Sequence, residues 1–302
     1  MADVVVVGSA NVDLVLPVQR IPRPGETVLA GGLTRGPGGK GANQAVAAAR
    51  SGASTAFVAA LGADDGGTLL RDALGEAGVD LSLVSTSDQP TGTAIITVAE
   101  DGENSIVVAP SANATLELSE QALRAVREAK IVLAQLEIPF GTVQAAAAAS
   151  SYFVLNAAPA AELSDELLAH VDLLVVNETE AEAVGGPKLS ALLERVPAAV
   201  VTLGAEGAVI LTRDAAEIRV PGVPVEVVDT TAAGDTFCGV LAATLAAAST
   251  TVSTTAPTTG RDLTNAVRRA NVAASLSVQT GGAIPSVPHG EVIDARYAEV
   301  YL

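Results

Sequence analysis

Four consecutive valines, Val4 to Val7, stand near the start of the sequence, and a β-branched run without polar alternation suits a strand covered on both faces. Similar short apolar runs recur at Thr55–Ala60, Ile131–Gln135, Phe153–Leu155, Leu173–Val176 and Ala198–Thr202. Helical stretches such as Gly67–Ala77 and Ser119–Ala129 stand between several of them. Buried strands alternating with helices predict an α/β fold with a mostly parallel sheet. Ligands of such sheets bind beyond the carboxyl ends of the strands. That is where this sequence concentrates amides and acids: Asn11 and Asp13 after the first strand, then Glu137, Asn156, Asn177 and Glu180.

Two segments interrupt the alternation. Leu14–Val18 with Thr27–Ala30, and Gly92–Val98 with Ser105–Ala109, each read as a hairpin standing off the sheet. Together they predict a small β lid, built from segments of roughly 14–34 and 91–109 and inserted into a single α/β domain spanning residues 1–302. A lid over a phosphoryl-transfer site would exclude water, which otherwise competes as acceptor. Ser249 to Gly260, rich in Ser and Thr, is expected to be a mobile loop between two helices.

The stretch with the most chemistry is Asp229 to Gly239, DTTAAGDTFCG. The β-branched run Val223–Val228 reads as a strand leading into it, and the alanine-rich segment up to Ala248 reads as the helix leaving it. The first helical residues are then Ala232, Ala233, Gly234 and Asp235. Helix-start amides lack intrahelical partners, and small side chains let an anion reach them, so the turn predicts an oxyanion site. A carboxylate beside such a site opposes simple anion binding but suits a general base acting while charge develops on a transferring group. An acid at this position would also stabilise its own helix, whatever its chemistry.

Other local patterns each allow two roles. Asn11 and Asp13, two residues apart, could grip adjacent hydroxyls of a polyol or form an Asx turn. Gly36 to Ala45, GPGGKGANQA, formally contains G-x-G-x-x-G, but Pro37 and the hairpin-like residues before it argue against a dinucleotide site. It is not a P-loop either, since Gly41 stands where a Ser or Thr should follow Lys40. Its glycines permit close approach of backbone to a small ligand, with Lys40 and Asn43 as polar contacts ahead of a helix over Ala45–Arg50. Asn177 and Glu180 fit a helix capping box, and the same placement could hold magnesium through water.

Composition narrows the function. Hydrophobic residues make up 49% of the 302, ample for a core, while a formal charge of −17 repels nucleic acid and anionic membrane. One cysteine, Cys238, excludes an intrachain disulfide, and two histidines, His170 and His289, supply little for histidine catalysis. No apolar run reaches the ~18 residues needed to cross a bilayer, and the acidic first residues do not resemble a signal peptide. A cytoplasmic protein is expected.

In order along the chain, GSANVD (8–13), GPGGKGANQA (36–45), AQLEIP (134–139), NETEAE (177–182), TLGAEG (202–207), DTTAAGDTFCG (229–239) and TGGAIPS (280–286) resemble the ribokinase family of sugar kinases from end to end. The resemblance implies a three-layer α/β/α sandwich with a β lid, ATP as co-substrate, and D-ribose phosphorylated at its 5-hydroxyl. It implies that Asp235 is the base, with Ala232, Ala233 and Gly234 forming the anion hole. Asn11, Asp13, Gly39, Lys40, Gly41, Ala42, Asn43, Glu137 and Asp235 itself would contact the sugar. Asn177, Thr202, Leu203, Gly204, Ala205, Glu206, Gly207, Gly234 and Asn271 would line the nucleotide site. Glu180 would order Mg2+ and its waters, while Asp229, Thr231, Ser277, Thr280, Gly282 and Ser286 match a K+ site. A homodimer through the lid is implied too. Fructose, deoxyribose or adenosine as acceptor, or a sugar-binding regulator without catalysis, are the competing readings.

Overall fold

The computed structural model describes residues 2–213, 215–248 and 260–302. The first strand, β1 (Val4–Val7), is followed by β2 (Asn11–Val18) and β3 (Thr34–Gly38), then by helix α1 (Lys40–Arg50). β4 (Thr55–Gly62), α2 (Asp65–Glu76), β5 (Val84–Ser87), β6 (Gly92–Ala99) and β7 (Asn104–Ala109) come next. The middle of the chain alternates regularly: α3 (Glu120–Glu128), β8 (Ile131–Ala134), α4 (Phe140–Ala149), β9 (Phe153–Asn156), α5 (Asp165–Leu168), β10 (Leu173–Asn177), α6 (Glu178–Gly185), α7 (Leu192–Arg195) and β11 (Ala198–Thr202). An antiparallel pair, β12 (Gly207–Thr212) and β13 (Ala215–Pro221), precedes α8 (Ala233–Ala248), α9 (Gly260–Ser277) and α10 (Gly290–Tyr301).

The strands form a nine-stranded sheet in the order β13-β12-β11-β10-β9-β8-β1-β4-β5, parallel except at β12 and β13. Alternation along each strand divides the core in two. Val4 and Val6 face a cluster built with α1, α2, α8, α9 and α10, while Val5 and Val7 face a cluster with α3 to α7. Ile131 and Leu133 part from Val132 and Ala134 in the same way, as do Leu173 and Val175 from Leu174 and Val176. Three layers follow from that division, as expected for the family fold.

A separate four-stranded sheet, β3-β2-β6-β7, stands off the main one. Its β6–β7 hairpin matches the expected arms. The other hairpin does not, because Thr27–Ala30 forms no strand and β2 instead pairs antiparallel with Thr34–Gly38. The glycine-rich segment supplies that arm itself, since its small residues lie flat against Asn11 to Val15. Helix α1 accordingly begins at Lys40, five residues before the expected start at Ala45.

Val223–Val228 is also not a strand. Its last amide, with that of Asp229, donates to Val278 O after α9 rather than to a ladder, and Val227 and Val228 lie exposed. β13 has already taken the sheet edge, so this run can only serve as an extended connection. The expected loop 249–260 falls, but for Gly260, outside the described residues. Among those described, no helix is long and apolar enough to cross a membrane.

Candidate active site

Two helices make the site by packing unusually closely. Gly239 lies one turn after Asp235 on α8, and a Cβ there would overlap Gln44 O, Ala47 Cβ and Ala48 N of α1. Gly41 in turn rests on the turn after β1, where a Cβ would stand 2.6 Å from Gly8 C and Ser9 N. Helix α1 is thereby clamped between β1 and α8, and its Asn43 and Gln44 side chains reach Asp235. Asn43 Nδ2 donates to Asp235 Oδ2 at 2.9 Å, and Gln44 Nε2 donates to Oδ1 at 2.9 Å. Asp235 is 8% exposed.

The start of α8 differs in detail from the expected turn. The helix begins at Ala233, and Ala232 precedes it in the left-handed region, at φ 59°, a conformation that costs an alanine about 1–2 kcal/mol. Ala232 is therefore the bend that presents the helix start rather than part of the helix. The amide of Ala233 donates to Thr230 O at 3.3 Å, and that of Thr236 to Ala232 O at 2.8 Å. Among the described residues no acceptor bonds the amides of Gly234 and Asp235. Nothing lies within 4 Å of where a Gly234 Cβ would be, so the side of the helix start at Gly234 is open.

The sugar-side residues converge on the same place. Asn11 is buried, and its Oδ1 accepts from Asn113 Nδ2 at 2.8 Å, which leaves the Asn11 amide nitrogen for a ligand. Asn113 is fixed by Ala10, accepting its N–H at 2.9 Å. The Asp13 carboxylate lies over Gly38, in the volume a Cβ would fill. Glu137 accepts from Ser9 Oγ at 2.6 Å and from the Lys40 amide at 3.4 Å. Gly39, at φ 91°, turns the chain into α1, and Ala42 faces the core with its amide bonded to Ser9 O at 2.9 Å. Asn43 keeps a buried Oδ1 without a hydrogen-bond partner.

Several of these groups act on one another's charge. Burial, then Glu137 and Asp235, push the Asp13 carboxyl up to about 7. Burial would lower Lys40, but Asp235, Glu137 and Glu180 outweigh it and raise the ammonium, which stays charged. Burial also raises Glu180, with Asp235 adding to it and Lys40 opposing. Cys238, buried and next to these acids, is held far above the usual thiol range and is inert.

Farther along the sheet, Asn177 and Thr202 are register partners at the ends of β10 and β11. Asn177 and Glu180 form the capping box, with both bonds at 2.9 Å. This closes Glu180 Oε2 onto the backbone while the carboxylate still faces Lys40. The Thr202–Gly207 turn closes through Leu203 N to Gly207 O at 2.8 Å and needs φ 99° at Gly207. Asn271 is buried against β13, donating at 3.4 Å to Val220 and Pro221 carbonyls, and Pro221 pairs with Gly207. Asn271 is thus joined to the turn through β13.

Asp229 ties two loops together: Oδ1 accepts from Thr231 N at 2.9 Å and Oδ2 from Gly282 N at 2.8 Å. Those donors hold the carboxyl below its ordinary range although burial opposes them. Ser277 and Ser286 turn their hydroxyls to Ala274 O and Ala283 O, and Thr280 N bonds Ser277 O. The six expected cation residues thus include one bonded trio, Asp229, Thr231 and Gly282, with three others in the adjoining turns. Among the described residues no three His, Cys, Asp or Glu side chains lie close enough to hold a metal.

Sequence reasoning missed Ser9, Gln44, Asn113 and Gln135 as functional groups. Gln135 carried a signal, since it is an amide directly after the apolar, buried run of β8, whereas Gln44 stood beside Asn43, which drew the attention.

Residues 1–290 match the model of the pfkB family carbohydrate kinases. The chain belongs to that family. Among its pfkB-family relatives, a ribokinase of Haemophilus influenzae is 38% identical over 303 residues, 94% of each chain. One of Bacillus subtilis is 40% identical over 298 residues, 95% of this chain and 97% of its own. The structure of Arabidopsis thaliana ribokinase complexed with ribose and ATP superposes with a TM-score of 0.87 at 34% identity, covering 98% of both chains. The nine-stranded sheet with its lid is the ribokinase fold.

Proposed function

We propose that the chain transfers the γ-phosphoryl group of ATP to the 5-hydroxyl of D-ribose. The observation that carries this is Asp235, gripped through both oxygens at the open start of α8 and sharing a cleft with Asp13 and Glu137. Likeness to a ribokinase bound to ribose and ATP, over 98% of the chain, supports the choice of substrates.

Asn11, Asp13, the Gly39–Asn43 segment and Glu137 hold the sugar hydroxyls. Asp235 takes the 5-hydroxyl proton as that oxygen forms its bond to the γ-phosphorus, and the bond to the β-phosphate bridging oxygen breaks to release ADP. The amides of Gly234 and Asp235 meet the charge on the transferring group, with Ala232 as the bend that aims them. Asn177, the Thr202–Gly207 turn and Asn271 line the nucleotide side of the strand ends.

Three acids, Asp235, Glu137 and Glu180, face the single Lys40 here, an excess of negative charge that suits a cation. Glu180 would hold hydrated Mg2+ through water, neutralising phosphate charge, since Mg2+ keeps much of its hydration and takes few protein carboxylates. K+ would sit by the Asp229–Gly282 loops on backbone oxygens and steady the approach to α8. The exposed Ile95, Ile106, Val107 and Val108 on β6 and β7 would be covered by a second copy of the lid. The enzyme would act in the cytoplasm, as one domain over residues 1–302 with lid segments at about 14–34 and 91–109.

Asp235→Ala is expected to lower turnover by roughly a hundredfold or more while ribose still binds by calorimetry. Unchanged turnover would remove the base. In a panel of pentoses, hexoses and nucleosides, ADP release should be fastest with ribose, and preference for a nucleoside or fructose would replace the proposed acceptor.

A further inference from the structure

A fully buried glutamine in an alanine-rich helix needs a reason, because an amide without partners inside a protein costs about 1–3 kcal/mol. Gln44 has every partner it can use. Its Nε2 donates to Asp235 Oδ1 at 2.9 Å and to Asn156 Oδ1 at 3.0 Å, and its Oε1 accepts from Gln135 Nε2 at 2.5 Å. Asn156 is anchored by its own Nδ2 to Val175 O at 3.3 Å. Turning the Gln44 amide over would set its oxygen against two acceptors and its nitrogen against a donor. Only one orientation is permitted.

Gln135 makes that choice at its own expense. Its Oε1 is buried without a partner, lying where a Cβ of Gly8 would be. A methionine would fill the space without stranding an oxygen, so the amide serves the group it donates to. We infer that Gln44 is a positioning residue for phosphoryl transfer, fixed by Gln135 and Asn156 so that Asp235 presents its remaining lone pairs to the acceptor hydroxyl. Asn43 holds the other oxygen but is also one of the residues proposed to hold the sugar, so Gln44 is the grip devoted to the base. This rests on Asp235 being the base.

A small misdirection of a reacting group costs on the order of a hundredfold in rate. Gln44→Leu should therefore lower kcat about 30- to 100-fold with the ribose KM within about twofold, since Gln44 reaches the sugar only through Asp235. Gln135→Met, which removes one donor and one stranded oxygen, should keep the fold and lower kcat about tenfold in the same pattern. Gln44→Leu placed on Asp235→Ala should cost nothing further, because positioning is void once the base is gone. Unchanged kcat in both single variants would overturn the inference. So would effects that multiply in the Asp235→Ala background, or a rise in KM matching the fall in kcat. Normal turnover in Asp235→Ala would overturn the base and this inference together, whereas normal turnover in the Gln44 and Gln135 variants alone removes only the positioning.

Discussion

The molecule contains two helix starts that look alike in sequence and have opposite fates. Both α1 and α8 follow glycine- or alanine-rich turns beside the active-site cleft. At α1 the free amides are used by the protein: Ala42 N bonds Ser9 O, Gly41 N reaches Ser9 Oγ at 3.4 Å, and Lys40 N reaches Glu137. At α8 the amides of Gly234 and Asp235 bond to no acceptor among the described residues, and Gly234 is exposed beside open space. The difference lies in what stands opposite each helix. The strand-exit turn of β1 lies directly against α1 and caps it, whereas the bend at Ala232 swings the start of α8 away from any such partner. A glycine-rich lead-in is therefore no sign of an anion site until its capping partners are known.

Substitutions at the two starts should separate their roles. Gly234→Asp puts a charge where the anion would sit and should lower kcat by about a thousandfold. Because nothing packs on that position and an acid suits a helix start, the melting temperature should stay level or rise slightly. Similar kcat in this variant would break the contrast. Ser9→Ala removes the hydroxyl that Gly41 N reaches and that bonds Glu137, leaving Ala42 N on the Ser9 carbonyl, and should behave the other way, costing about 1–2 kcal/mol of stability in a denaturant titration. An effect on kcat without loss of stability would show that α1 had been misjudged.

Asp13 sharpens the comparison, since it sits between the two starts with a carboxyl raised to about 7. A raised acid means that the folded protein binds a proton more readily than the unfolded chain. Its charge therefore costs stability progressively from about pH 4 to pH 7 and the full cost remains above pH 7. Asp13→Asn should remove that dependence and make the ligand-free protein more heat-stable at pH 8, while weakening ribose about 10- to 100-fold. In the unsubstituted enzyme, ribose affinity should drop as pH falls through about 7. A flat affinity profile from pH 6 to pH 8 would argue that Asp13 does not hold the sugar as a carboxylate.

Much of this was legible beforehand, for reasons that can be named. Val4–Val7 read as a doubly covered strand because its valines had to face both layers, and they do. Asp235, Asn11 and Glu137 were legible as polar residues at strand and helix ends. Thr27–Ala30 and Val223–Val228 misled, because β-branched composition reports fit to a pleated surface but not whether an edge is left to join. Gly36–Gly38 took the lid edge and β13 the main-sheet edge. The amides behind Asp235 were hidden for another reason. Gln44, Gln135 and Asn156 lie on three different elements, and only the close packing at Gly41 and Gly239 brings them into contact.

The most direct test is a crystal structure of the enzyme with ribose, MgADP and aluminium fluoride, which imitates the group in transit. The fluoride should lie within about 2.7–3.1 Å of the Gly234 and Asp235 amides, with the ribose 5-hydroxyl between it and the Asp235 carboxylate. A fluoride seated instead at the start of α1, near Gly39 to Gly41, would contradict the account.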